Sequence, residues 1–417
     1  MQPVETRSDQ VSTATPSLWR NLDYLLLWSG QLVSSTGSQV SQLAFPLLIL
    51  ALTHSPVQAG LAGALRALPY LIFSLPAGAL IDRWDRKRVM ILCDIGRALA
   101  LGSIPLAVAL GHLTVTQLYL VAVIEGALFV FFNVAEAACL PRVVTRAQLP
   151  AATAQNQASD GITSLVGPAL GGSLFALGSL LPFLADALSY TASVISLFFI
   201  KARFQEQRIV TTRKLHIEIW EGLSWLWQQP LIRFMAVLTG GFNLIFAGYT
   251  LIIIVLAQSM HASASVIGII FAIGGVGAIV GALVAPYIHR HFSFAQVIIA
   301  SCWIAAVGLA LTLIVPNAIL LGIVSLLTFI SGPVYNVVQF SYRSALIPDT
   351  LQGRVNSVFR LLAFGGQPLG LALTGWLLQN LGVFDTIACC TGGMILFSTL
   401  ATINTHVRHA QSLENVT

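Results

Sequence analysis

The residues of this sequence that can do chemistry are ionisable side chains set inside long apolar runs. Arg66, Asp94, Arg97, Glu125, Asp160 and Asp186 all fall in the first half of the chain. The second half has only Arg360 at comparable depth, with Asp385 near the outer end of its last apolar run. Charge inside a membrane is costly, so residues like these are kept for a function. A carboxylate in a partly dry cavity can take up and release a proton near neutral pH. Glu125 and Asp160, well inside their runs, are the candidates for that work, with Arg66 or Arg97 as counter-charge. Asp94 and Arg97 are one helical turn apart and are expected to form a structural ion pair.

A second feature is "LVGPALGG", Leu165 to Gly172. A phosphate-cradling loop uses glycines this way, but no lysine follows and no strand precedes. Gly167 and Gly171 share one helical face, which Thr163 extends by a turn. A face without side chains lets another helix approach closely, and Pro168 bends the helix. The face is expected to seal a cavity while this helix pivots on the eighth apolar run. Gly172 completes the motif. "GGVGAIVGAL" (274–283) also lacks nucleotide-binding spacing and is expected to pack helices. The five cysteines form no C-x-x-C pair. With no metal cluster, P-loop or nucleophile–base pair in view, the expectation is a protein that is not an enzyme and has no cofactor.

The elements that must hold these residues are set by composition. The 417 residues are 56% hydrophobic and 9% charged, with mean hydropathy +0.83. Soluble domains carry about 25% charge, so the solvent here is mostly lipid. Apolar runs of spanning length recur at 22–48, 56–80, 89–110, 116–138, 151–177, 181–200, 232–257, 264–288, 294–315, 318–342, 355–378 and 383–404. Lipid cannot satisfy loose backbone groups, so each run is helical. The class is all-α integral membrane, with twelve transmembrane helices. Lys and Arg cluster in every second connector, including Arg83, Arg86, Lys87, Arg88, Arg142, Arg146, Lys201 and Arg354. The alternate connectors, such as "THSPV" and "GHLTVTQ", have none. This bias predicts a multi-pass protein of the cell membrane with both termini cytoplasmic. It also makes the net charge of +5 a topology signal and not a nucleic-acid footprint.

Residues 1–20 are expected to form a disordered cytoplasmic tail and 406–417 a second one. The longest connector, 201–231, joins the halves 21–200 and 232–405. Within it "IEIWEGLSWLWQQP" puts Ile217, Trp220, Ser224 and Trp227 on one helical face, as an interfacial helix would. The halves repeat. Shifting by 200 aligns Asn156 with Asn356, Pro168 with Pro368, and Asp160 with the oppositely charged Arg360. "GALIDRWDRKR" from Gly78 is matched by "GALVAPYIHRH" from Gly281, with Ala285 in place of Asp82. Two related six-helix halves point to a transporter with its site at their interface.

The stretch "GALIDRWDRKRVMI" (78–91) resembles the major facilitator signature between helices 2 and 3, departing from it at Asp85. "GPVYNVVQFSYRSALIPDTLQGRVNSVFR" (332–360) resembles the third drug:proton antiporter branch, which contains macrolide efflux proteins and the enterobactin exporter. "GPALGG" (167–172) is similar to the antiporter signature of helix 5. The helix-4 signature reads "AVIEG" (122–126), so no relay arginine is carried over and Glu125 stands in for the usual glutamine.

The resemblance implies the major facilitator fold and a proton-coupled exporter of drugs, macrolide-like or otherwise amphipathic, working by alternating access. Siderophore or metabolite export is the alternative, and a non-transporting membrane sensor a remote one. It implies a cytoplasmic gate of Gly78, Asp82, Arg83 and Arg86, with Asp82 near the start of helix 11 at Gln352 to Arg354 and Glu136 as the partner of Arg86. Expected partners are a small-molecule substrate, protons and membrane lipid, with no nucleic acid, in a monomer. Polar and aromatic residues facing the centre are the candidates for the substrate cavity: Gln31, Ser35, Gln39, Asn133, Asn243, Tyr249, Tyr335, Asn336, Gln339 and Arg360.

Overall fold

The computed structural model describes residues 17–202, 204, 215–349 and 351–410. Of the expected tails 1–20 and 406–417, residues 1–16 and 411–417 lie outside the described residues, as do Arg203, Arg208, Arg213 and Lys214 of the central connector; the rest is not disordered, since Leu18–Arg20 form a 3-10 helix and Thr405–Arg408 a short α-helix.

Six helices form the first half: α1 (Leu22–Thr53), α2 (Pro56–Ile81), α3 (Arg86–Ala109), α4 (Val115–Val143), α5 (Leu149–Leu177) and α6 (Leu181–Phe199). The connector helix is α7 (Leu215–Gln228). The second half holds α8 (Pro230–Ala247), α9 (Tyr249–Ser259), α10 (Ala264–His291), α11 (Phe294–Leu311), α12 (Ala318–Leu346), α13 (Gln352–Phe364), α14 (Gln367–Asn380) and α15 (Val383–Ile403), with the short α16 (Thr405–Arg408) after it. Gly248 interrupts the crossing made by α8 and α9, and Gly365–Gly366 the one made by α13 and α14. The halves therefore have six crossings each. Among the described residues eleven crossings are long and apolar enough for lipid. The twelfth, α5, is long enough but more polar, because Gln155, Asn156, Gln157 and Asp160 interrupt its apolar pattern.

Short polar caps start the helices that follow tight connectors. Ser55, Thr114, Ser263 and Asn317 each accept a backbone N–H of the first turn. Ser293 and Gln296 form a reciprocal capping box at α11. The repeat survives in the backbone: the first crossing of each half ends at a left-handed histidine, His54 (φ 51°) and His261 (φ 58°).

Lys and Arg gather at one end of the bundle, called here the basic end; the connectors at the far end have none. The apolar core differs between the two. At the far end it is one continuous body, in which Leu43–Leu50, Ile104 and Phe183 of the first half pack with Leu251–Leu256, Ile267 and Leu309 of the second. At the basic end it divides. One core holds Tyr24, Ile81, Met90, Phe132 and Leu197. The other holds Leu226, Ile232, Ile298, Val338 and Val355. Two glycine crossings fasten the far end. A Cβ on Gly172 of α5 would stand 2.8 Å from Gly268 Cα of α10, and one on Gly60 of α2 would stand 2.8 Å from Gly375 Cα of α14. Backbones this close leave no room for a side chain, and the exposed surface between helices is minimal.

Helix α7 lies against α13, with Glu221 paired to Arg354. Leu226 is buried, whereas Ile217, Trp220 and Trp227 remain exposed.

Candidate substrate cavity

A cavity of about 1100 Å³ separates the two basic-end cores. Most of its wall comes from the first half. Helix α1 contributes Gln31, Ser34, Ser35, Ser38, Gln39 and Gln42, a polar stripe at helical spacing. Asn133 and Glu136 enter from α4 and Asp160 from α5. The second half contributes Phe246 and Ala247 of α8, Thr250 and Leu251 of α9, and Arg360, Phe364, Gln367 and Leu371 of α13 and α14. Trp28, Tyr70, Phe129 and Phe132 add aromatic surface. The lining thus combines flat apolar faces with a few polar groups, the arrangement that suits a bulky amphipathic ligand.

Deep in the wall, Glu125 of α4 is held between two guanidiniums. Arg66 Nε of α2 donates to Oε2 and Arg97 Nη2 of α3 donates to Oε1 at 2.8 Å. Gly126 makes this possible, because a Cβ there would collide with the Arg66 carbonyl; its absence brings α2 onto α4 at this level. Arg97 also stacks over the Tyr190 ring, 4.1 Å from its centroid, and donates to Ser38 Oγ at 3.3 Å. Ser38 Oγ and Tyr190 OH are 2.8 Å apart. Asp94 lies 3.8 Å from Arg97 Nη1, so the expected ion pair is present, but Arg97 shares itself with Glu125.

The other acids differ. Glu136 and Asp160 line the cavity within electrostatic reach of each other, and neither forms an ion pair among the described residues. On the opposite wall, Arg360 Nη2 donates to Tyr70 OH at 2.7 Å, which links the two halves. Tyr190 and Tyr70 are the residues that sequence reasoning passed over. The one available signal was the spacing of Tyr190 one turn after the intramembrane Asp186.

Several expected placements differ. Arg86 does not meet Glu136; its Nη1 donates to the Ala138 carbonyl at 3.1 Å and its Nη2 to Asp82 at 3.1 Å. The Ala138 carbonyl, two residues nearer the end of α4, is the acceptor Arg86 reaches, while Glu136 lines the cavity. Asp82 is half exposed, and the acid beside the start of α13 is Glu221 of α7, not Asp82. Arg83 is exposed and Gly78 has open space around it. Gly167 and Gly171 pack on α1 at Gln39 and Val40, whereas it is Gly172 and the Pro168 carbonyl that meet α10. Of the second-half cavity candidates only Arg360 lines the cavity. Asn243 donates to the Ala363 carbonyl at 2.8 Å, and Tyr335 pairs with Thr239 at 2.7 Å. Tyr249 is buried in the far-end core, Gln339 is buried inside the second half, and Asn336 is exposed away from the cavity.

Comparison with known proteins fits this geometry. Residues 13–417 match the major facilitator family described as transmembrane secretion effector. The multidrug efflux pump Tap of Mycolicibacterium fortuitum is 25% identical over 389 residues, covering 90% of this chain and 94% of its own. Macrolide efflux protein A of Streptococcus pyogenes is 25% identical over 374 residues, covering 88% and 91%. A bacterial homologue of the iron transporter ferroportin, 17% identical in its inward-facing crystal structure, superposes with a TM-score of 0.74 over 92% of this chain and 98% of its own. Its outward-facing structure, 16% identical, scores 0.61 over 91% and 98%. The chain is a transporter and not an enzyme: it belongs to the transmembrane secretion effector family of the major facilitator superfamily.

Proposed function

We propose that this protein is a proton-coupled exporter of amphipathic drugs in the cell membrane, a monomer working by alternating access. The observation that carries the reading is a large cavity walled by both halves, closed over by the continuous core at the far end and lying where the apolar core is divided at the basic end. The positive-inside rule assigns that end to the cytoplasm, so the conformation is one that loads from inside. The closer superposition on an inward-facing than on an outward-facing structure of a bacterial ferroportin homologue supports this. The relatives named for multidrug and macrolide efflux support the direction and class of cargo.

In this reading the apolar body of the cargo lies on Trp28, Phe129 and Phe132, and its polar or cationic groups meet Glu136, Asp160 and the α1 stripe. The buried Glu125 clamp fixes α2, α3 and α4 as one unit, so the first half moves as a rigid body against the second. Asp82 serves the opposite state, in which the basic end closes and the start of α13 comes within reach of α2. Helix N-termini favour an anion. Trp220 and Trp227 of α7 anchor the connector at the cytoplasmic membrane interface.

The test is transport in proteoliposomes with an imposed pH gradient and a panel of a macrolide, a cationic dye and a catecholate siderophore. Gradient-driven movement of the macrolide or the dye is the expected result. Movement of the siderophore alone would reassign the cargo, and no response to the gradient with any of them would remove proton coupling.

A further inference from the structure

Behind the Glu125 clamp lie two carboxyls that line no part of the cavity. Asp94 of α3 and Asp186 of α6 are both 0% exposed. Both oxygens of Asp94 and Oδ2 of Asp186 lack a partner at full hydrogen-bond geometry; the groups nearest them are Ser193 Oγ and, at 3.8 Å, Arg97 Nη1 beside Asp94, and Ser41 beside Asp186. Glu125, by contrast, has both oxygens occupied by guanidiniums.

The charges do not balance. Arg66 and Arg97 face Asp94, Glu125 and Asp186, two cations against three acids. Glu136 of α4, part-exposed in the cavity lining and within electrostatic reach of Asp94 and Arg97, is a further acid and only adds to the excess. An uncompensated ion in such an interior is strongly disfavoured, because the low-dielectric surroundings cannot replace its hydration. The neighbouring elements offer no further cation. Helix α1 presents Ser38 and Ser41, α2 Arg66, α3 Cys93 with Asp94 and Arg97, α4 Glu125 and, nearer the cavity, Glu136, and α6 Asp186, Tyr190 and Ser193. Neutrality requires one proton, and the acids with unengaged oxygens are the ones that can hold it.

We propose that Asp94 and Asp186 share one proton, and that this proton is the ion coupled to export. The second clause rests on the proton-coupled reading above; the first does not. The proton's way out is short. Ser38 Oγ lines the cavity and bonds Tyr190 OH, which lies one turn from Asp186. A cationic cargo beside Glu125 adds positive charge to the cluster and drives the proton toward the cavity. Cargo and proton are then linked by charge, without touching, and each cycle exchanges one proton.

The test is infrared spectroscopy of the purified transporter in detergent at neutral pH, reading the carbonyl stretch of a buried carboxylic acid. The wild type should show the band. Either Asp94→Asn or Asp186→Asn alone should abolish it, because removing one acid leaves two cations facing two acids. Glu125→Gln should abolish it for the same reason. The cavity double variant Glu136→Gln with Asp160→Asn should keep it. A band absent from the wild type, a band lost in only one of the two Asp variants, or one lost in the cavity variant overturns the shared proton. Should one Asp variant not fold, the other, together with the cavity variant, still decides the matter.

Coupling is read separately with ethidium in proteoliposomes at zero membrane potential. One proton per cation gives about tenfold accumulation per unit of pH difference. In Asp94→Asn or Asp186→Asn accumulation should fall to none while ethidium-for-ethidium exchange persists. Gradient-driven accumulation by both variants overturns the coupling role. A wild type with the infrared band and no gradient response overturns proton-driven export and leaves the proton site standing.

Discussion

Glu125 shows how little freedom a buried charge has once its partners are in place. Its two oxygens are divided between arginines from two other helices, and the clamp holds α2, α3 and α4 together. Glu125→Gln leaves two guanidiniums close together with only an amide between them. Breaking a buried pair in this way costs about 3–5 kcal/mol. The expected outcome is a clearly lower thermal unfolding midpoint in detergent and loss of transport; an unchanged midpoint would mean the clamp contributes nothing to the fold. The sequence made Glu125, Arg66 and Arg97 legible because a charge in an apolar run stands out. Tyr190 was not legible, since a tyrosine in such a run is ordinarily core. Its stacking on Arg97 depends on how α3 and α6 face each other. The Arg86 pairing was misread for a related reason: backbone carbonyls are acceptors that no residue type advertises.

At the scale of helices, α5 does two jobs on two faces. Gly167 and Gly171 admit α1, and Gly172 admits α10. The helical wheel correctly put Gly167 and Gly171 on one face but gave no means of telling which neighbour that face meets. The structure separates their consequences. Gly167→Leu forces a side chain into Gln39, within the first half, and should lower both stability and transport. Gly172→Leu forces one into the Ala264 carbonyl and Gly268, across the two halves. It should pry the far end apart and bias the transporter outward. Cysteine labelling at far-end positions of α10 should rise several-fold in Gly172→Leu and stay at the wild-type level in Gly167→Leu. Equal labelling in both would show that the two faces are not functionally distinct.

For the whole molecule, the twelve crossings, the two halves and the charge bias were all readable from the chain, because lipid imposes length, helicity and sidedness together. The second-half cavity residues were not. Asn243 and Tyr335 are polar groups in apolar runs, but they hold their own half together, a use that sequence alone does not separate from ligand binding. The repeat itself carries a prediction. Asp160 and Arg360 occupy equivalent positions, face one cavity from opposite walls and bear opposite charges. Closing the basic end should bring them together. Asp160→Arg and Arg360→Asp should each abolish transport, and the double exchange should restore a measurable fraction. No rescue would exclude the pairing. Asp82→Asn should likewise stop transport without affecting insertion, measured as export against surface expression.

The undivided core at the far end has a mechanical meaning. From Gly172 back to Leu149, α5 runs roughly 23 residues, about 34 Å at the rise of an α-helix. A tilt of about 10° about that crossing sweeps the basic end of α5 through about 6 Å. The molecule is a lever whose fulcrum is a pair of glycines, and the fulcrum is narrower than one methyl group. Its gain is fixed by helix length, so small changes at the short arm are felt as a wide or a shut mouth at the long one. Variation that adjusts how readily this transporter turns over should therefore concentrate far from the cavity, in the few small residues on which the halves pivot.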